Sequence, residues 1–341
     1  MAMISKKKIP YSISPSLRSY LKKHERETSV TISYTDLTRY ASSVALYDKH
    51  GVDSLWETVF FAPNEMEQIH HQLKQVYAFL KADGDLSVIE HLFIDRVDLC
   101  IYGNTKPFRV RVVNRINDNF DYYYIKTADA SRIYGLALEH LLSPNRINYF
   151  VDNNTLIEEH IAGIPGDQFI KYYLKDKDLN EIRLAKEFVK FTERTFVRLL
   201  GDMHSSNFVI DVTPDFEETH YRIRAIDFDQ QSYEGRKAVY MPQYFKQNNP
   251  LIELGLKHMT PETVRQYQKE EQALMANRLK SSPYQMKDLI DAMVKDTLSN
   301  PENVDHLKNE MAQHYKDQRF LACKNMGELV KTSLRMLLEK H

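Results

Sequence analysis

Hydrophobic and polar residues follow two different rhythms along the first half of the chain. Over residues 64–81, apolar side chains recur every three or four positions, which predicts an amphipathic helix. From about residue 94 the period changes to two, which is typical of half-buried strands. This alternation predicts successive strands over residues 97–101, 108–113, 122–127, 147–151 and 155–161. Closely spaced strands with short turns indicate a small antiparallel sheet.

Helical periodicity dominates on both sides of that sheet. Residues 1–95 are predicted to be mostly helical, including a helix that begins at Pro15 with Ser14 as its N-cap. Residues 163–341 are predicted to be mainly helical as well, because apolar positions again recur at helical spacing there. The predicted class is therefore α+β, with an N-terminal helical extension (1–95), a sheet-bearing segment (96–162) and a mainly helical segment (163–341).

Polar residues interrupt the second helical segment at one place. A predicted helix ends at Gly201, and a short loop then carries Asp202 and Asn207 into a strand. After a polar turn, a second alternating strand ends on Asp227. A hairpin brings these three side chains to one end. There the oxygens of Asn207 and Asp227 suit Mg²⁺ held against phosphate, while Asp202 faces a hydroxyl.

The residues in this stretch resemble a known family. Gly-Asp-Met-His-Ser-Ser-Asn at 201–207, followed by Ile-Asp-Phe-Asp at 226–229, resembles the catalytic and metal-binding loops of the aminoglycoside phosphotransferase and choline kinase group. That family places His where this chain has Leu200, but the Asp-to-Asn spacing of five is intact. The resemblance implies a two-lobed protein-kinase-like fold, with a small antiparallel sheet lobe and a helical lobe, to which this chain adds the N-terminal region.

The resemblance also implies roles for individual residues. Asp202 is expected to be the catalytic base of an ATP-dependent phosphotransferase, and Asn207 and Asp227 are expected to hold Mg²⁺. Lys126, at the end of the third predicted strand, is expected to contact the α- and β-phosphates of ATP. Glu139, in the helix that follows Asp129, is its expected ion-pair partner.

The resemblance assigns the nucleotide base to the segment between the two lobes. Backbone groups of Glu159, His160 and Ile161 are expected to read adenine there, a task that does not depend on side-chain identity. A glycine-rich phosphate cover is expected between the first two strands, where the chain offers only Gly103.

Composition narrows the class of protein. The 341 residues carry a net charge of -1, which favours neither a nucleic-acid partner nor an acidic scaffold. The cysteines, Cys100 and Cys323, are too few for a disulfide framework or a thiolate zinc site. No apolar run approaches the roughly 20 residues that span a bilayer. These features predict a cytoplasmic protein without a membrane or nucleic-acid partner.

Several alternatives remain open from the sequence. The predicted acceptor is a small molecule with a hydroxyl or amine group, but its identity cannot be read. A catalytically silent nucleotide-binding module is the principal rival, favoured by Leu200, the single Gly103 and the unexplained N-terminal region. A protein kinase, a fold relative that transfers AMP, and a protein partner for the N-terminal region are further alternatives.

Overall fold

The chain forms two compact units. The computed structural model describes residues 8–48, 51–102, 105–216 and 219–341. The first unit, here called the sheet unit, comprises Leu21–Asp129 and Ile147–His160. The second, here called the helical unit, comprises the chain up to Tyr20, Ala130–Arg146 and Ile161–His341.

Helices occur in both units, and most lie in the second half of the chain. Within the described ranges they are, in chain order, α1 (Pro15–Lys23), α2 (Tyr34–Leu37), α3 (Pro63–Lys81), α4 (Ala130–Leu142), α5 (Gly166–Tyr172), α6 (Glu181–Val197), α7 (Asn249–His258), α8 (Pro261–Ser281), α9 (Pro283–Met293), α10 (Pro301–Tyr315) and α11 (Met326–Lys340). Proline occupies one of the first two helical positions in α3 and α7 to α10, where its missing N–H costs nothing.

Strands in the described part of the chain form two antiparallel sheets. They are β1 (Ser42–Tyr47), β2 (Asp53–Phe60), β3 (Leu92–Cys100), β4 (Phe108–Asn114), β5 (Phe120–Thr127), β6 (Tyr149–Asp152), β7 (Thr155–Glu159), β8 (Ile164–Pro165), β9 (Phe208–Pro214) and β10 (Thr219–Ala225). The sheet unit holds β1 to β7 in the order β1-β2-β3-β4-β5-β7-β6. The helical unit holds a smaller sheet in the order β10-β9-β8. The α+β class and the predicted strands after residue 96 are confirmed.

The core of the sheet unit lies between α3 and one face of the sheet. Alternate residues of β3 and β4, such as Val97 and Val110, are buried on that face. They form one apolar cluster with Leu73 and Val76 of α3. Burying such side chains stabilises the fold by about 1.5–3 kcal/mol each, so the period-two pattern that predicts these strands also fixes their register.

The prediction of a helical extension over residues 1–95 is only partly right. The helices α1 and α3 are present as predicted, but β1 and β2 lie between them, and β2 pairs with β3 in the main sheet. The edge strand β1 gives no period-two signal because both of its faces are largely exposed; Val44 is 60% and Tyr47 59% accessible. The predicted boundary at residue 95 therefore falls inside one structural unit.

The boundary between the two units also differs from the prediction around α4. The predicted sheet-bearing segment, 96–162, includes α4, whereas the structure groups α4 with the helical unit. Almost every residue of α4 is buried, and the helix packs against α8 and α9.

A membrane-spanning helix needs both length and apolar character, and no helix within the described ranges combines the two. Gly103 lies outside the described residues.

Candidate active site

The loop that follows α6 carries the first candidate residues. The helix begins at its N-cap Asn180, whose side chain accepts a hydrogen bond from the Arg183 N–H, and it ends at Val197. Leu199 then adopts the left-handed conformation, with φ 57°, and turns the chain out of the helix. Leu200 is fully buried. The Asp202 N–H donates to the Val239 carbonyl at 3.1 Å, which holds the next residues against a neighbouring loop.

Hydrogen bonds join Asp202 to Asn207. The Asp202 carbonyl oxygen accepts from the Asn207 Nδ2 at 2.8 Å and from the His204 N–H at 2.9 Å. Asp202 itself has φ 62°, a left-handed conformation that is uncommon outside glycine and concentrates at functional sites. The Asn207 carbonyl in turn accepts from the Ile226 N–H at 3.0 Å, next to Asp227. The structure therefore brings Asp202, Asn207 and Asp227 together, as the hairpin predicts.

His204 supports this loop from inside. Its Nδ1 accepts a hydrogen bond from the Ser206 N–H at 3.3 Å, so the ring caps the short 3₁₀ turn Ser205–Asn207. Burial lowers the pKa of His204, which keeps the ring neutral and able to accept at Nδ1. The role of His204 is thus to brace the loop.

The carboxyl group of Asp202 is electrostatically unusual. Burial, followed by repulsion from the carboxylates of Asp227 and Glu234, raises its pKa to about 7. Repulsion of this kind requires Asp227 and Glu234 to lie near the carboxyl group of Asp202. A cation bound there would lower the pKa of Asp202 again, because it would stabilise the charged form.

An arginine lies between the two acids that follow β10. Nη1 of Arg132, on α4, donates to Asp227 Oδ1 at 2.9 Å and to Asp229 Oδ1 at 2.8 Å. The Asp229 N–H also donates to Asp227 Oδ1, at 3.0 Å, and Nζ of Lys8 donates to the Asp229 carbonyl at 2.5 Å. Sequence reasoning missed Arg132. A signal was available, since a cation in the first turn of an apolar helix opposes the helix dipole and indicates an anionic partner.

Magnesium fits the donor chemistry of Asn207 and Asp227. Mg²⁺ prefers oxygen ligands and is commonly held by one or two protein side chains together with water and phosphate oxygens. Because Nδ2 of Asn207 is used by the Asp202 carbonyl, the amide oxygen Oδ1 is the atom left for a cation. Among the described residues, no group of three or more His, Cys, Asp and Glu side chains is arranged to hold a metal.

Lys126 lies at the end of β5 in the sheet unit and is buried, with 7% of its surface exposed. Its Nζ is 3.1 Å from Oε2 of Glu158 on β7. The strand register explains this pair: Glu158 is opposite Tyr124, so Lys126, two residues along, lies on the same face of the sheet.

The predicted ion pair between Lys126 and Glu139 is therefore corrected. Glu139, in α4 of the helical unit, forms an ion pair with Nη1 of Arg198, just after α6. Both side chains are almost fully buried. Spacing along the chain suggested Glu139 because it is an acid in the helix after Lys126. It could not show that β7 supplies a nearer acid.

The segment predicted to read adenine lies where the chain passes between the two units, after His160. The Glu159 N–H donates to the Asn148 carbonyl at 3.0 Å, and the His160 N–H donates to the Tyr122 carbonyl at 3.3 Å. The carboxylate of Glu159 pairs with Lys81 on α3 at 3.0 Å. These two N–H groups are thus already used within the sheet unit, and adenine recognition by Glu159, His160 and Ile161 stays a prediction.

Two lysines allow the phosphate assignment to be tested. Lys126→Ala should weaken the binding or turnover of ATP. It removes the positive charge that is predicted to contact the phosphates and that the ion pair with Glu158 holds in place on β5. Lys106→Ala is the matched control, because Lys106 precedes β4 and its side chain is exposed. Titration of ATP against both variants would measure the effect. A larger loss in Lys106→Ala would contradict the assignment.

The solved structures that are similar to this chain include kinases. No protein-family model matches the chain, and no curated protein matches it. Among solved structures, the chain is similar to titin kinase with its flanking domains, at 14% identity over 73% of this chain and a TM-score of 0.30. It covers 54% of that titin chain, or about half its length. It is also similar to the autoinhibited serine kinase domain of titin, at 13% identity, a TM-score of 0.28, and coverage of 72% of this chain and 92% of that one. Likeness at these TM-scores does not assign a fold or a function to this chain.

Proposed function

We propose that the protein is an ATP-dependent phosphotransferase that acts on a hydroxyl or amine group of a small-molecule acceptor. The observation that carries the proposal is the hydrogen-bonded unit of Asp202, Asn207 and the Asp227 loop. In it, the Asn207 side chain holds the Asp202 backbone, and the Asn207 carbonyl holds the Ile226 N–H. A base and two metal-binding side chains on loops held in this way suit phosphoryl transfer, in which positioning and charge stabilisation supply most of the catalysis.

In this proposal Asp202 orients the acceptor. Its carboxylate accepts a hydrogen bond from the acceptor group. It receives the proton as the acceptor oxygen or nitrogen bonds to the γ-phosphorus of ATP, while the bond from that phosphorus to the β,γ-bridging oxygen breaks and ADP leaves. Without a cation the pKa of this group is about 7, and a cation at the site would lower it and keep the carboxylate charged, as a base must be. Asn207 Oδ1 and Asp227 would hold Mg²⁺. When bound, Mg²⁺ would neutralise the negative charge on the phosphate oxygens, including the charge that develops there during transfer.

Lys126 would orient the phosphates of ATP. A lysine side chain has several freely rotating bonds, and an ion pair that fixes its ammonium group lowers the entropic cost of using it. Glu158 supplies that ion pair across neighbouring strands, and burial of both groups strengthens it. In the proposal, Glu158 is therefore the ion-pair partner of Lys126, the role that the sequence resemblance assigns to Glu139.

One observation favours a second candidate, a catalytically silent nucleotide-binding module. Arg132 already neutralises Asp227 and Asp229, so these acids have a partner without any metal ion. A module of this kind would bind a nucleotide and act through partners without turning it over. Turnover by the wild-type protein separates the two candidates.

Metal binding provides the first test of the proposal. We expect Mg-ATP to raise the melting temperature of the wild-type protein, since a ligand in hundredfold excess over Kd stabilises a fold by about 2.7 kcal/mol. Asn207→Ala and Asp227→Ala should each remove most of the difference between Mg-ATP and ATP with a chelator. Asn309→Ala, on the exposed side of α10, is the control. If the two site variants keep the full metal-dependent shift, the metal assignment is wrong.

A further inference from the structure

A single nitrogen of Arg132 bridges two carboxylates. Nη1 lies 2.9 Å from Asp227 Oδ1 and 2.8 Å from Asp229 Oδ1, so one positive group is shared by two acids. The same guanidinium extends towards the Ile226 carbonyl, 3.4 Å from Nη2. A position between two carboxylate oxygens is the kind of position that a divalent cation takes when it joins two acids.

Burial shows that this contact is built into the helical unit. Arg132 is only 2% exposed, whereas the Asp227 and Asp229 side chains remain partly accessible. Because Arg132 lies in the first turn of α4, the positive end of the helix dipole disfavours its charge. A buried guanidinium in that place is stable only beside anionic groups, and the two acids provide them.

A divalent cation at Asp227 would have to share that acid with Arg132. Two positive groups a few ångströms apart repel each other strongly in a partly buried site, and each weakens the binding of the other. The repulsion falls when a bound polyanion, such as a nucleotide phosphate chain, adds negative charge to the site. Arg132 therefore makes cation binding depend on the anion that arrives with the cation.

We propose that Arg132 is the resident cation of this site: it takes the place between Asp227 and Asp229 that a second divalent ion would occupy, so that the protein without nucleotide binds divalent cations only weakly. The inference rests on the proposed function, since it concerns the same carboxylates. It implies that one divalent ion, rather than two, accompanies the nucleotide.

Manganese binding to the nucleotide-free protein tests the inference. The free Mn²⁺ ion has a sharp paramagnetic resonance signal that is lost on binding, so titration gives Kd directly. We expect Arg132→Gln to bind Mn²⁺ at least about tenfold more tightly than the wild type, because it removes a positive charge in contact with both acids. The double variant Arg132→Gln, Asp229→Asn should lose that gain, since one of the two acids is gone.

Arg236→Gln is the matched control. It removes the same charge close to Glu234, whose pKa is raised by burial against the opposing effect of Arg236, but Arg236 is an exposed residue. Its Mn²⁺ affinity should stay near that of the wild type, because an exposed charge is screened by solvent. An equal gain in Arg236→Gln would overturn the inference, since bulk charge alone would then explain the result.

The other possible outcomes of this experiment also support or overturn the inference. If the wild type binds Mn²⁺ as tightly as Arg132→Gln does, Arg132 does not occupy the cation position and the inference is wrong. If Arg132→Gln folds only when Mn²⁺ or Mg²⁺ is added, the cation has replaced the arginine, as expected. If it fails to fold with and without these ions, Arg132 is purely structural and the inference is overturned.

The test contains neither nucleotide nor acceptor, so its outcome is distinguishable from that of the kinase proposal. A protein that turns over no ATP can still gain Mn²⁺ affinity on losing Arg132. Conversely, an active phosphotransferase can have the same Mn²⁺ affinity in the wild type and in Arg132→Gln. That result would overturn the inference and leave the proposed function standing.

Discussion

Asp202→Asn is expected to reduce phosphoryl transfer by roughly 10²–10⁴-fold, the range for a positioned acid–base group. Asparagine keeps the size of the side chain but cannot accept a proton from the acceptor group. The bonds that hold this loop use the backbone of Asp202, with its carbonyl bound by Asn207 and its N–H bound to Val239. We therefore expect the variant to fold and to bind Mg-ATP like the wild type. Turnover is measured as ADP release.

Two controls make this result specific. Asp178→Asn changes an exposed acid before α6 and should leave turnover unchanged. The melting temperature of Asp202→Asn should not fall below the wild-type value, because repulsion with Asp227 and Glu234 is relieved rather than added. Turnover equal to that of the wild type would remove Asp202 from the catalytic step.

The raised pKa of Asp202 adds a pH dependence with a defined sign. Its folded-state pKa of about 7 lies above the ordinary value of 3.8, so the folded state binds the proton more tightly. This contribution to the free energy of unfolding is fully present below about pH 3.8 and is lost as pH rises to about 7. In Asp202→Asn this part of the pH dependence should disappear. Catalysis should change in the opposite sense, because the base must be charged, and the wild-type rate should rise with pH.

Glu139→Gln is expected to lower the free energy of unfolding by about 3–5 kcal/mol, because it leaves the guanidinium of Arg198 buried without its counter-charge. Glu139 and Arg198 are 4% and 1% exposed, so water cannot replace the lost partner. The effect of Glu139 is thus on stability, whereas the sequence assigns it to nucleotide binding. Urea unfolding of both proteins measures the difference.

A surface pair gives the matched comparison. Glu339 pairs with Arg319 at 2.8 Å, but both side chains are largely accessible to water. Glu339→Gln should therefore change stability by less than about 1 kcal/mol, as is usual for exposed pairs. If Glu139→Gln is no more destabilising than Glu339→Gln, the buried pair is not what holds α4 against the end of α6.

The sequence predicts the elements whose burial is one-sided. The strands β3 to β5 bury alternate residues, and α3 buries one stripe, so each has a clear period. The strands β1 and β2 escape prediction because few of their residues are buried, so neither shows a clear alternation of buried and exposed positions. The position of α4 in the helical unit also escapes, since the sequence of a helix buried on all sides does not identify its neighbours.

In the candidate site, too, some features can be predicted from the sequence and others cannot. Asp202, Asn207 and Asp227 are predictable because they lie within one short stretch whose turn and hairpin bring them together by local geometry. The partners of Lys126 and Asp227 are not predictable in this way. Glu158, on the neighbouring strand β7, forms an ion pair with Lys126. Arg132 precedes Asp227 by 95 positions in the chain and donates a hydrogen bond to it. Such long-range contacts depend on tertiary packing, which spacing along the chain does not encode.

Identification of the nucleotide product tests the central proposal most directly. The wild-type protein and Asp202→Asn, purified in parallel, would be incubated with ATP, Mg²⁺ and a pool of small hydroxyl and amine acceptors, and the nucleotides separated by ion-exchange chromatography. The proposal predicts that ADP accumulates with the wild type and far more slowly with Asp202→Asn. Release of AMP and pyrophosphate would show adenylyl transfer, and binding of ATP without turnover would show a silent module; either result would contradict the proposal.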